Sequence, residues 1–296
     1  MTNSDFTQRF VFDDLDARGC FVRLEQTIEE IQATHHYPAA LKAMLNKFSL
    51  AAVLLRDSIK IDASVTLQLR SSGAVKLIVA DCTSDKRVRA IAEYELEELA
   101  AAEPLDLANL NEGATLAITI TPEEGDRYQS IVPIESASLE GCLEDYFSRS
   151  EQLPTWFSFN TDGQVAVGIA IHSLPAEQLS DPTLTIEHFN RLKMFLDTLT
   201  KQEALGLDSE LMLTRLFHDD SCRVFDTHKV VFGCDCSIEK SIEAIYSLGE
   251  DDVENLISEQ REEGKESLVV DCHFCFQRYE FDFDDLAGLF KADGQA

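Results

Sequence analysis

The longest apolar stretch of the chain runs from Leu41 to Leu55 and is broken only by Lys42, Asn46, Lys47 and Ser49. Pro38 stands at its head, so the segment Pro38–Lys60 is expected to be a helix. A polar face this narrow predicts a helix largely buried inside its domain. Upstream, Cys20–Gln26 reads as a strand and "TIEEIQATHHY" as a short helix. Downstream come three β-rich runs, "SVTLQLR", "AVKLIVADC" and "RVRAIAEYE", separated by "SSG" and "TSDK" turns. They predict an antiparallel meander. "ATLAITITP" and "YQSIVPIE" add a hairpin across "EEGDR". Ser138 caps "LEGCLEDYFSRSEQL", which lines up Leu139, Cys142, Leu143, Tyr146 and Phe147. "TWFSFN" and "QVAVGIAIHSL" close the unit as two further strands. The fold class is α+β, a largely antiparallel sheet core around a buried helix, over residues 1–175.

Pro175 and "SDPT" at Ser180–Thr183 mark a change of pattern. Phe189, Leu192, Leu196 and Leu199 recur at helical spacing, and Asp208 caps "SELMLTRLFH". Helices this short are marginal alone in water, so residues 176–231 are expected to be a helical linker lying on the first domain. Residues 232–296 form a third, small region. Ser237 caps "IEKSIEAIYSL", which Gly249 stops, and "DDVENLISEQREE" is a second helix ended by Gly264. "SLVVDC" and "YEFDF" read as strands on either side of "CHFC", with "DDLAGLF" as a last helical turn.

Charge changes the picture. The 296 residues hold 25 Lys+Arg against 54 Asp+Glu, a net −29. Such a surface repels phosphate backbones and anionic lipid, which argues against nucleic acid and membrane partners. The start, "MTNSDFTQRFVFDD", lacks a basic segment followed by an apolar one, and no run is long enough to cross a bilayer. A cytoplasmic, thiol-reducing setting is therefore expected, which weighs against structural disulfides. No phosphate-binding glycine loop or nucleophile elbow is present, and Asp/Glu pairs are too numerous to single out as catalytic. A non-enzyme is expected.

Four of the eight cysteines lie in the last fifth of the chain, as "FGCDCS" and "DCHFC". The region from Phe232 onward carries 17 acidic and 5 basic residues, a net −12. So small and acidic a module needs a staple beyond hydrophobic burial. Cys234, Cys236, Cys272 and Cys275, spaced C-x-C-x35-C-x2-C, suit a tetrahedral zinc ion with a closed shell. "CHFC" also admits a dithiol redox centre, although that motif ordinarily opens a helix and here stands between strands. His273, inside the knuckle, is left out of the ligand set. Both pairs are close enough in sequence to oxidise internally, and thiolates are the form that reacts with peroxide. An oxidation sensor and a plain structural zinc site both remain open on spacing. Cys20, Cys82, Cys142 and Cys222 stand singly and read as packing residues.

Taken together, these cysteines, "EGDRYQSIVPIESASLEGCLEDYFSRSEQLPT", "ARG" at Ala17–Gly19 and "LTRLFHDD…VFD" resemble the redox-regulated holdase chaperones of bacteria, the 33-kilodalton heat-shock protein family. The resemblance covers essentially the whole chain. It implies one Zn2+ held by Cys234, Cys236, Cys272 and Cys275 in an inactive reduced state. It further implies disulfides Cys234–Cys236 and Cys272–Cys275 on oxidation, loss of zinc, unfolding of the 232–296 redox-switch domain and linker, and ATP-independent binding of unfolding clients. A homodimer when oxidised, and hand-over of clients to ATP-dependent foldases, are implied as well. The stretch "EQREEGKES" is longer than the family pattern, and Cys20 and Cys222 are additions to it. Two other functions stand beside this one: a zinc-ribbon adaptor, and a thiol–disulfide oxidoreductase using Cys272 and Cys275.

Overall fold

The computed structural model describes residues 4–99, 105, 107, 113–175, 182–284 and 286. The chain divides into two compact units, Met1–Gly233 and Cys234–Ala296. In the first, β1 (Phe6–Phe12) and β2 (Ala17–Leu24) lead to α1 (Gln26–Ala33) and the long α2 (Ala39–Ser58). The meander β3 (Ala63–Arg70), β4 (Val75–Cys82) and β5 (Arg87–Tyr94) follows, then α3 (Leu96–Leu99). The hairpin β6 (Thr115–Pro122) and β7 (Tyr128–Val132) precedes α4 (Leu139–Ser150), β8 (Thr155–Thr161) and β9 (Ala166–Ser173). Next come α5 (Pro182–Asp197), α6 (Lys201–Gly206), α7 (Ser209–Leu216), β10 (Cys222–Lys229) and β11 (Val231–Phe232).

Two sheets result. One has the order β10-β1-β2-β9-β8 and the other β11-β5-β4-β3-β6-β7. All pairings are antiparallel except β11 with β5, so the architecture is α+β around antiparallel sheets. The apolar Leu41–Leu55 run becomes α2, which packs against strands of both sheets, with 14 of its 20 residues buried.

Strand alternation explains how the first sheet serves two cores. Every residue of β9 is buried. Ala166 and Ala170 belong to the core around α2, and Gly168 lies against Leu50 and Leu54. Val167, Ile169 and Ile171 face the opposite way, into a second core. That core takes Phe10, Phe12 and Phe21 from β1 and β2, and Phe189, Leu192, Leu196, Ala204, Met212, Leu213 and Phe217 from α5–α7 and the residue after them. The small residues leave room for a helix, and the large ones meet short helices that need cover.

Local signals behave as the side chains dictate. Ser138 Oγ accepts from Gly141 N at 3.1 Å, and Asp208 accepts from Glu210 N and Leu211 N. Gly249 and Gly264 take positive φ at the two ends of α9 (Glu250–Glu262), where a side chain would be strained.

The 176–231 segment is not helical throughout. Cys222–Lys229 forms β10, an edge strand paired with β1 at Phe6↔Lys229 and Phe12↔Cys222. Most β10 side chains are exposed, so the stretch lacks the apolar alternation that announces a strand. Its partner β1 lies some 210 residues earlier. Side chains bind this segment to the first sheet too: Arg23 Nη1 donates to Leu205 O at 2.8 Å, and Ser209 Oγ donates to Gln8 Oε1 at 2.6 Å. Of the expected "DDLAGLF" turn, Asp285 and residues from Ala287 onward lie outside the described residues.

A four-thiol centre as the candidate metal site

The second unit contains α8 (Ile238–Tyr246), α9, and the hairpin β12 (Ser267–Asp271) and β13 (Arg278–Asp282). Its core is Ile245, Val253, Ile257, Leu268, Phe281, Phe283 and Leu286. Cys234 and Cys236 precede α8, whose N-cap Ser237 accepts from Lys240 N at 3.2 Å. The positive end of this helix favours anionic sulfur nearby. Between them, Asp235 pairs with Lys240.

Cys272 and Cys275 occupy the hairpin tip. The Asp271–Arg278 ion pair closes the neck at 2.8 and 3.0 Å. Above it Cys272 N donates to Gln277 O at 2.9 Å, and Phe276 N donates to Cys272 O at 2.8 Å. Phe276 has φ +57°, a conformation costly for a bulky side chain. That left-handed residue turns the chain so that both sulfurs of the tip face Cys234 and Cys236.

All four Sγ atoms lie within 4.8 Å of one another. Across the pairs, Cys234 Sγ lies 3.6 Å from Cys272 Sγ and Cys236 Sγ lies 3.5 Å from Cys275 Sγ. A zinc ion with four bonds of about 2.3 Å would require sulfur–sulfur edges of about 3.8 Å. No disulfide joins any of the eight cysteines. The four are therefore positioned to bind a metal ion, and four soft donors suit zinc. Burial, with neighbouring thiols adding to it, pushes Cys275 up to about 12, and burial raises Cys272 as well. Four sulfurs this close give up their protons together only to a cation. A raised thiol is also the reverse of what a dithiol nucleophile needs.

One contributor carried no sequence signal. Tyr279 Oη donates to Cys236 Sγ at 3.2 Å, and that bond raises the phenol above its ordinary range. Tyr279 is the second residue of β13, and only the strand register brings its hydroxyl to the sulfur. The single cysteines sit in the first unit, where Cys20, Cys82 and Cys142 are buried and Cys222 is half-buried. Burial pushes Cys82 to about 12 and Cys222 to about 11, so neither is readily ionised.

The family model described as Hsp33 protein matches residues 5–282, a span that contains all four clustered thiols. The chain belongs to the Hsp33 family. Two relatives named 33 kDa chaperonin, from Pseudomonas paraeruginosa and Azotobacter vinelandii, are each 43% identical over 99% of this chain and 97% of their own length. The crystal structure of the 33 kDa chaperonin of Thermotoga maritima is similar in fold, with a TM-score of 0.77 at 23% identity, covering 98% of this chain and 99% of that one.

In this Hsp33 chain the Tyr279 bond leads to a measurable expectation. Tyr279→Phe should weaken retention of Zn2+ or Co2+ on the order of tenfold, because it removes a donor that stabilises a ligand thiolate. Competition against a chromogenic chelator reads this directly, and an unchanged affinity would assign the phenol a packing role only.

Proposed function

We propose that this protein is an ATP-independent holdase chaperone, inactive with zinc bound and switched on by oxidation. The observation that carries the reading is the convergence of four thiols in a small unit whose described residues supply a core of seven buried side chains. Cys234, Cys236, Cys272 and Cys275 hold one Zn2+ as thiolates, and the ion serves as the staple of residues 232–296. On oxidation Cys234 joins Cys236 and Cys272 joins Cys275. Each pair gives up two electrons to one peroxide, which takes two protons and leaves as water. Closing each pair to a bond of about 2.05 Å breaks up the contacts that run across the pairs, Cys234–Cys272 and Cys236–Cys275. Local pairing thus draws the sulfurs away from the shared centre, and no thiolate is left to hold the ion.

The linker of residues 176–231 responds because its helices are not stable alone. Their apolar faces, through Phe189, Leu192, Met212 and Leu213, are buried against the first sheet. When the adjoining module melts, those faces become available to apolar segments of unfolding clients, and the acidic tail keeps the complex dispersed. An oxidised homodimer, cytoplasmic residence and release of clients to ATP-dependent foldases complete the reading. No described helix is long and apolar enough to cross a membrane.

The test is light scattering from a thermally unfolding protein. Peroxide-treated protein at raised temperature is expected to suppress aggregation, and the reduced zinc-loaded protein is not. Equal suppression by both would remove the redox control. Suppression by neither would reject the chaperone reading.

A further inference from the structure

A second site is suggested by an excess of positive charge inside the first unit of this acidic chain. A cavity of about 470 Å3 lies among β1, β2, β9, β10 and the C-terminal end of α2. Arg9, Arg18 and Arg223 reach its wall, with Asp57 and His172. Arg223 is neutralised by Asp13 at 2.7 Å. Arg9 Nη2 and Lys86 Nζ share the single carboxylate of Asp57, at 2.8 and 2.5 Å, which leaves one positive charge over. Arg18 meets no carboxylate among the described residues. Its one partner is Ser58 O at 3.3 Å. Burial and the neighbouring Arg9 both hold the Arg18 guanidinium below its ordinary range, which marks an uncompensated cation.

His172 supplies the complementary demand. Its side chain is almost wholly buried, at 3% exposure, and Nδ1 lies 2.9 Å from Thr155 Oγ1. The Thr155 hydroxyl donates to Leu153 O at 2.9 Å, so its oxygen accepts from Nδ1–H. Burial pushes His172 down to about 4, and the ring is neutral. Nε2 is therefore an acceptor, and no partner meets it among the described residues. A ligand that satisfies both walls must accept from a guanidinium and donate to an imidazole. Ionised carboxylate and sulfate accept only, whereas phosphate with a proton on one oxygen does both. Cys20 and His228 also reach the wall, and Phe10, Val11, Leu174 and Phe225 offer apolar cover to an organic body.

We propose that this cavity is a binding site for hydrogen-bearing phosphate, either free or as the monoester of a small apolar group. Arg18, with the spare charge of Arg9 and Lys86, holds the oxyanion, and His172 Nε2 takes the phosphate O–H. Gly19 is part of the arrangement: a Cβ there would run into the Phe10 ring, which packs over the strand beside Arg18. Since β10 contributes Arg223 and Phe225, an occupant also ties that edge strand to the sheet.

The experiment is calorimetric titration of the full-length, reduced, zinc-loaded protein with inorganic phosphate, phenyl phosphate and sulfate at mildly acidic pH. Hydrogen exchange of the β10 amides is followed in parallel. Saturable one-to-one binding of phosphate is expected, with sulfate at least about tenfold weaker because it leaves Nε2 unmet. Tighter binding of phenyl phosphate assigns the site to monoesters, and equal or weaker binding assigns it to free phosphate. Arg18→Gln keeps a donor for Ser58 O and is expected to lose about tenfold in phosphate affinity with an unchanged unfolding midpoint. His172→Phe should abolish the preference for phosphate over sulfate. Absence of saturable binding by both phosphate probes, equal binding of sulfate, or full affinity in Arg18→Gln would overturn the proposal.

Discussion

Cys272→Ser is expected to melt the second unit and leave the first folded. Among the described residues of the second unit seven apolar side chains form the buried core, and a domain of 63 residues seldom gains more than about 3–5 kcal/mol from burial. Structural zinc in small peptides contributes about 10–16 kcal/mol near neutral pH. Loss of the ion therefore outweighs all that the core supplies. A serine hydroxyl stays protonated where a thiolate is needed, and three sulfurs no longer close the shell. The change should drop zinc below one per chain, lose the amide protection of α8, α9 and the β12–β13 hairpin, and spare β1–β9. A chelator added to the unmodified protein should reproduce that pattern reversibly. Full protection of the hairpin at zero zinc would show that the unit folds on its own core, and the proposed switch would lose its mechanism.

How far these features were legible depends on how far apart their partners lie. Ser138 before α4, Asp208 before α7 and Ser237 before α8 accept from backbone N–H groups two or three residues on, and Pro38 opens α2 through its own fixed φ, so short stretches suffice to announce them. The strand β10 escaped because its partner β1 lies across the chain and because it is an edge with mostly exposed side chains, whereas β1 pairs with the neighbouring β2 and was within local reach. At the thiol centre the two short cysteine separations single out the four sulfurs that the fold brings together. They say nothing of the contacts across the pairs, Cys234 with Cys272 and Cys236 with Cys275, which the loops around the cysteines decide. The cavity beside Arg18 is the extreme case. Arg9, Arg18, Asp57 and His172 come from four elements, and although Arg18 stands in the "ARG" stretch, nothing local to it names the other three.

Phe217→Ala carries the other large effect, and it separates the docking of the linker from the chemistry of the thiols. Phe217 is 1% exposed, edge-on to Phe12 at 5.0 Å and stacked on Phe10 at 6.2 Å. It closes α7 through its N–H to Leu213 O at 2.9 Å, and its carbonyl accepts from Asp220 N just before β10. Truncating a buried phenylalanine costs about 3–5 kcal/mol. Detachment of α7 and β10 should then rise by roughly a hundredfold or more, at 1.4 kcal/mol per tenfold. If docked helices are what keeps the protein inactive, Phe217→Ala suppresses aggregation while zinc remains bound and every thiol stays reduced. Phe217→Leu, a smaller loss of volume, should give a smaller and graded effect, which guards against mere collapse of the first unit. The readouts are light scattering, zinc content and exchange of the α7 amides on the same samples. Exposed α7 amides in a protein that stays inert until oxidised would place the restraint outside this contact.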